Sequence, residues 1–266
     1  MRGAIFGDIA GSRFEWRNCR KKDFPLFAED SFFTDDSVMT VAVAKSLAEC
    51  GESGEQALRE AVVRNMRQMG QKYWYAGYGF MFARWLKSDD PQPYNSFGNG
   101  AAMRISPVAD YARSEEEVKR LSRIVTEVTH NHPEGLKGAE CVAMCGFLAK
   151  QGATKEQIFR RAKEYYPDIG TFTCAKLSET NVFDETCQGS VPQALTCFFE
   201  GKDFEDTIRN AISIGGDSDT IAAMAGGIAE LFFGMQEGYV EVIKLFLSRD
   251  LQRTVSAIED KVYRKE

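Results

Sequence analysis

The segment "FTDDSVMT" (residues 33–40) places a hydroxyl and two adjacent carboxylates, Thr34, Asp35 and Asp36, directly before a run of small and apolar residues. A second segment, "GGDSDTIAAMAGGIAELFF", repeats the design with Asp217, Asp219 and Thr220. Either cluster alone reads as helix capping, because Asp and Thr oxygens accept hydrogen bonds from free backbone N–H groups, each worth about 0.5–2 kcal/mol. Two such clusters heading two apolar helices have a second use. Val38, Val41, Ala42, Ala44, Leu47 and Ala48 follow the first, and Ala222, Ala225, Gly226 and Gly227 in the second permit close packing. The two N-termini can then meet in the interior. Four carboxylates would converge, and like charges about 4 Å apart repel by about 4 kcal/mol at an effective dielectric near 20. Such a cluster must protonate or bind cations.

Ligands that are oxygens only favour Mg, Mn or Ca over Zn or Cu. An EF-hand is excluded: counting from Asp217, its sixth position is Ala222 rather than Gly and its twelfth is Ile228 rather than Glu. A His-Asp phosphohydrolase is poorly supported, since the two histidines, His130 and His132, are followed by Asn131 and Pro133. What remains is a carboxylate-bridged binuclear centre. Zinc held by His130, His132, Cys141 and Cys145 has the wrong spacing for a structural site.

The stretch "NSFGNGAAMR" suggests an anion site. Gly98 and Gly100 permit positive φ and close approach to a ligand, and successive N–H groups form a nest suited to a diphosphate. It is not a dinucleotide fingerprint, because the sixth position from Gly98 is Met103, and no P-loop pattern occurs.

Helices must position these groups. In "SEEEVKRLSRIVTEVTH" a Ser114/Glu117 capping box precedes Val118, Leu121, Val125 and Val128; "GEQALREAVVRNMRQMG" aligns Leu58, Ala61, Val62, Met66 and Met69. "ATKEQIFRRAKEYY" aligns Ile158, Ala162 and Tyr165 behind a Thr154/Gln157 cap, and "DFEDTIRNAISI" and "GYVEVIKLFLS" fit further helices. Strand alternation is scarce, and no repeat or Pro/Gly-rich linker divides the chain. The expectation is one compact all-α domain over residues 1–266.

A chain of 266 residues with 44% apolar content can build a sizeable core. A net charge of -6 argues against nucleic acid as the main partner, which calls for clustered Lys and Arg. No apolar run is long enough to span a membrane. Seven irregularly spaced cysteines read as reduced thiols, which suits the cytoplasm.

"GDIAGSRFEW", "FTDDSVMT", "SFGNGAAMRISPV", "THNHPEG" and "GGDSDTIAAMAGGIAEL" occur in the order found in the ADP-ribosylglycohydrolase family, which includes the dinitrogenase reductase-activating glycohydrolases. The sequence resembles that family from residue 4 to about residue 232. The resemblance implies an orthogonal all-helical fold and two magnesium ions, or manganese in some members. It carries metal ligation onto Thr34, Asp35, Asp36, Asp217, Asp219 and Thr220. It also makes Glu15 a catalytic candidate beside Asp35 and Asp219, and assigns Ser96, Phe97, Gly98, Asn99 and Gly100 to the ADP-ribose diphosphate region and His130 to the ribose. The implied reaction is hydrolysis of an ADP-ribosyl bond in a protein or small-molecule substrate by a monomeric enzyme. Because the family includes non-enzymatic lens proteins, a non-catalytic ADP-ribose- or metal-binding protein is the alternative; the intact acidic set argues against it.

Overall fold

The 3.6-residue periodicity becomes helix nearly throughout. The computed structural model describes residues 1–263, so the last three residues of the expected domain lie outside the described residues. Fourteen α-helices follow in order: α1 (Arg2–Gly11), α2 (Asp35–Cys50), α3 (Glu55–Lys72), α4 (Phe80–Lys87), α5 (Ser106–Tyr111), α6 (Glu115–Glu127), α7 (Pro133–Lys150), α8 (Lys155–Tyr165), α9 (Cys174–Thr180), α10 (Cys187–Glu200), α11 (Phe204–Ser213), α12 (Ser218–Phe233), α13 (Glu237–Phe246) and α14 (Arg249–Tyr263). No strand occurs among the described residues; an antiparallel bridge joins Gly98 to Thr186.

The helices bury the faces that the apolar spacing marks. Leu58, Ala61, Val62, Met66 and Met69 of α3 and Val118, Leu121 and Val125 of α6 all lie in the core. Thr154 and Gln157 form the reciprocal box at α8. At α6 the box is half realised. Ser114 Oγ accepts from Glu117 N, but the Glu117 carboxylate takes the N–H of Arg113 instead of that of Ser114.

Packing around the site turns on α1. Gly3, Gly7 and Gly11 recur every four residues, one turn apart, and face α12. A Cβ on Gly3 would overlap the Gly226 carbonyl, one on Gly7 the Ala222 carbonyl, and one on Gly11 would lie 2.5 Å from Asp219 Cα. The small residues of α12 therefore admit the backbone of α1, not that of α2 as the sequence suggested. The N-termini of α2 and α12 still converge, with α1 packed against both helices.

Candidate active site and metal centre

Asp8, fully buried in the middle of α1, organises the start of α2. Its carboxylate accepts from Thr34 Oγ1 at 2.7 Å, Thr34 N at 3.0 Å and Ser37 N at 3.1 Å, and from the Ser37 hydroxyl. Asp8 thereby satisfies N–H groups that a local cap would otherwise serve. Thr34 is the N-cap residue of α2 and receives Asp36 N at 3.3 Å. The side-chain cap of α2 is thus Thr34.

Asp36 and Asp219 face each other across the two helix starts. Thr220 Oγ1 donates to Asp36 Oδ2 at 3.3 Å, whereas Asp36 Oδ1 and Asp219 Oδ1 are buried and have no partner. A buried carboxylate oxygen without a donor is costly, so the pair calls for a ligand. Two triads present oxygens within 4.8 Å of one another: Asp8, Asp36 and Asp219, and Glu15, Asp217 and Asp219. Asp219 belongs to both. All donors are oxygens, which fits hard divalent cations such as Mg or Mn.

Electrostatics agree with that fit. Burial is the largest cause for each group, and neighbouring carboxylates add to it at Glu15, Asp35, Asp36 and Asp219. Asp8 is pushed up to about 6 even though hydrogen bonds from Ser37 and Thr34 oppose the shift. Asp35 is pushed up to about 8 by burial and then by Asp8. Asp36 and Asp219 rise well above the usual carboxylate range. Glu15, half-buried, is pushed up to about 7 by burial, then by Asp217, Glu185 and Asp8.

Glu15, Asp35, Asp36, Asp217 and Asp219 line a cavity of about 560 Å³, with Asp8 buried behind its lining. One wall is the glycine-rich loop. Asn99 Nδ2 donates to Asp217 Oδ2 at 2.7 Å and to Ser190 Oγ at 3.0 Å, which aims Asp217 at the cavity instead of at its own helix. His130, 4% exposed, closes the wall behind Gly100. Around the mouth stand exposed aromatic rings: Trp16 stacked on Phe183 at 4.9 Å, and Phe32, Tyr75 and Phe80.

The family model for ADP-ribosylglycohydrolase matches residues 1–248 of the 266. The chain belongs to the ADP-ribosylglycohydrolase family. It is similar to ADP-ribosylhydrolase ARH3 of Mus musculus, 26% identical over 89% of this chain and 83% of the relative, and to ARH3 of Danio rerio, 31% identical over 88% and 81%. ADP-ribosylarginine hydrolase Tri1 of Pseudomonas putida is 24% identical over 97% of this chain and 76% of that one. Among solved structures, an ADP-ribosylglycohydrolase-related protein complex matches with a TM-score of 0.67 and 23% identity, over 99% of this chain and 96% of that one, a likeness of fold.

Of the residues that the family resemblance singles out, Glu15, Thr34, Asp35, Asp36, Asp217, Asp219 and Thr220 all line the cavity, as do Ser96, Gly98, Asn99, Gly100 and His130. Asp35 does so outside both triads; its N–H is fixed by Ala76 O at 2.8 Å. Phe97 does not line the cavity: its ring packs edge-on to His132, 5.2 Å between centroids, and its carbonyl receives Cys187 N. Two expectations for the loop also change. Gly98 has φ −61° and neither it nor Gly100 is left-handed; they are required for space, since a Cβ on Gly100 would sit 3.2 Å from His130 Nε2. Nor do successive amides form a nest, because Gly98 N, Asn99 N and Ala101 N are bound to Ser96 Oγ, Glu185 O and Gly98 O. Cys141 and Cys145 lie in the core of α7, away from any metal cluster among the described residues.

Asp8 is the carboxylate of the buried cluster that the sequence reading missed. Its signal is a lone acid inside "AIFGDIAG", flanked by glycines at one-turn spacing. Asn18 was missed as well. It donates to Phe14 O at 2.8 Å and Gly216 O at 2.9 Å and accepts Gly216 N at 2.9 Å, tying the Glu15 turn to the left-handed Gly215–Gly216 link before α12.

Proposed function

We propose that the protein hydrolyses the bond at the anomeric carbon of the distal ribose in ADP-ribosylated proteins or small molecules, using two Mg ions, with Mn as a substitute. The observation that carries this reading is the pair of oxygen triads sharing Asp219 on the floor of the cavity, with buried carboxylate oxygens lacking any protein donor. Asp8, Asp36 and Asp219 would hold one cation, and Glu15, Asp217 and Asp219 the other, with Thr34, Asp35 and Thr220 completing the polar floor. A divalent pair so held supplies Lewis acidity and a template for vicinal hydroxyls.

The chain's own groups do the rest. The glycine-rich wall admits a narrow ligand, and the aromatic rings at the mouth offer stacking faces for a purine. Water's oxygen bonds to the anomeric carbon as the bond to the leaving group breaks; Glu15 takes a water proton, and the leaving group acquires one from the medium or from Glu15. Carboxylates around the cavity stabilise positive charge developing on the sugar. Membership of the ADP-ribosylglycohydrolase family supports the reaction class. All seven cysteines are free thiols, which fits the cytoplasm we propose as its location. No described helix is long and apolar enough to cross a membrane. We propose that the enzyme is a monomer.

The test is release of ADP-ribose from arginine-, serine- and O-acetyl-linked substrates, with EDTA and with restored Mg or Mn. Release that EDTA stops and metal restores supports the reading and names the linkage. No release from any of the three, despite metal-dependent thermal stabilisation, favours the non-catalytic binding protein.

A further inference from the structure

Arg104 is 1% exposed, the largest fully buried side chain among the described residues, and it reaches the cavity wall with its Nε unpartnered. Burying a guanidinium is expensive unless its donors are used. One of them is used in a specific way: a terminal nitrogen donates to Thr129 Oγ1 at 2.7 Å, and that same oxygen lies 2.7 Å from His130 Nδ1. We propose that Arg104 is a positioning residue that acts through Thr129 to hold His130 in the tautomer with Nδ1 bare and Nε2–H turned to the Gly98–Gly100 wall.

Donor and acceptor capacities at Thr129 select one tautomer. Arginine only donates, so Thr129 Oγ1 accepts from it. The hydroxyl proton then has two destinations. His130 Nδ1 lies at 2.7 Å, within the range of a good O–H bond, whereas Thr126 O lies at 3.5 Å, beyond it. Donation to Nδ1 pairs the Thr129 hydroxyl and the ring nitrogen at short distance. The other tautomer would aim Nδ1–H at an oxygen that already receives Arg104 and leave the hydroxyl proton only the distant carbonyl. The imidazole dipole agrees, since its lone-pair end then points toward the guanidinium side. Burial, and then the charge of Arg104, keep the ring neutral, so only one of its nitrogens carries a proton.

The far end of the ring meets the loop. The glycines pack on this end of the ring, with a Cβ on Gly100 placed 3.2 Å from Nε2 and one on Gly98 3.6 Å away, and because His130 lines the cavity its N–H can meet a ligand oxygen there. The acceptor class is a hydroxyl or phosphate oxygen of the nucleotide sugar. This last assignment rests on the hydrolase reading; the tautomer does not, and it is measured without substrate.

The experiment uses full-length protein labelled with ¹⁵N-histidine and long-range ¹H–¹⁵N correlation. Only two histidines are present, and His132→Asn, which retains a good N-cap, assigns the signals. The native protein is expected to show His130 with unprotonated Nδ1 and protonated Nε2. Thr129→Val should mix the tautomers and weaken ADP-ribose binding about tenfold, while Thr129→Ser restores both. Arg104→Met should behave as Thr129→Val does and Arg104→Lys should keep the native pattern. If Arg104→Met does not fold, the Thr129 pair still decides. Protonated Nδ1 in the native protein, or a Thr129→Val variant with unchanged tautomer and affinity, overturns the proposal. A native protein with the expected tautomer but no affinity for ADP-ribose overturns the hydrolase reading and leaves the Arg104 role standing.

Discussion

Removing divalent cations and then raising the pH should destabilise this protein, and the structure sets the sign and size. Asp8 is fully buried, and its carboxyl is raised from 3.8 to about 6. A carboxyl with a raised folded-state value binds a proton in the native state over a range where the unfolded chain has released it. Its stabilising contribution is complete below about pH 4 and is lost as pH rises through about 6. At about 1.4 kcal/mol per unit, two units amount to about 3 kcal/mol, and for a chain of this size that is about 6–12 °C in Tm. Asp35, raised to about 8, extends the loss toward pH 8. A bound cation takes the place of those protons, so its stabilisation should be small at pH 5 and largest at pH 8. The assay is thermal unfolding by circular dichroism in EDTA, and in Mg or Mn, at half-unit steps from pH 5 to 8.5. A Tm in EDTA that is flat or rises over this range, or a cation-induced shift that does not grow with pH, would refute the reasoning.

Four substitutions extend the test. Asp219→Ala removes the carboxylate common to both oxygen triads, so the cation-induced Tm shift and turnover should both vanish; a wild-type response in either would sink the two-cation reading. Glu15→Gln keeps the size of a half-buried side chain and should retain most of the Tm shift while turnover falls by about 10²–10⁴. An unchanged rate demotes Glu15 to a structural role. Gly7→Ala drives a Cβ into the Ala222 carbonyl, a backbone atom that cannot swing aside, and should cost about 1–3 kcal/mol or more in urea unfolding. Gly238→Ala, in α13 with open space around its Cβ position, should be neutral or stabilising by up to about 1 kcal/mol; equal effects of the two would contradict the α1–α12 contact.

The sequence by itself determined what is local. Helix faces such as Leu58, Val62, Met66 and Met69, and caps such as Thr154 with Gln157, depend on residues one turn apart, and a 3.6-residue period expresses them directly. The two acid-and-hydroxyl clusters and their family were legible for the same reason, since each is a short contiguous motif. Tertiary structure alone decided how they meet. Asp36 and Thr220 are 184 positions apart and touch because Gly3, Gly7 and Gly11 let α1 press against α12 while Asp8 holds the start of α2. Nothing in its neighbours along the chain marks Asp8 as a partner of Thr34, and the spacing of "NSFGNG" cannot say that Gly100 is small for the sake of His130. Periodicity reports which face of a helix is apolar. Which backbone that face admits, and which carboxylate it carries into contact, depends on side-chain volumes and hydrogen-bond donors supplied from elsewhere in the chain, and only the folded packing brings those together.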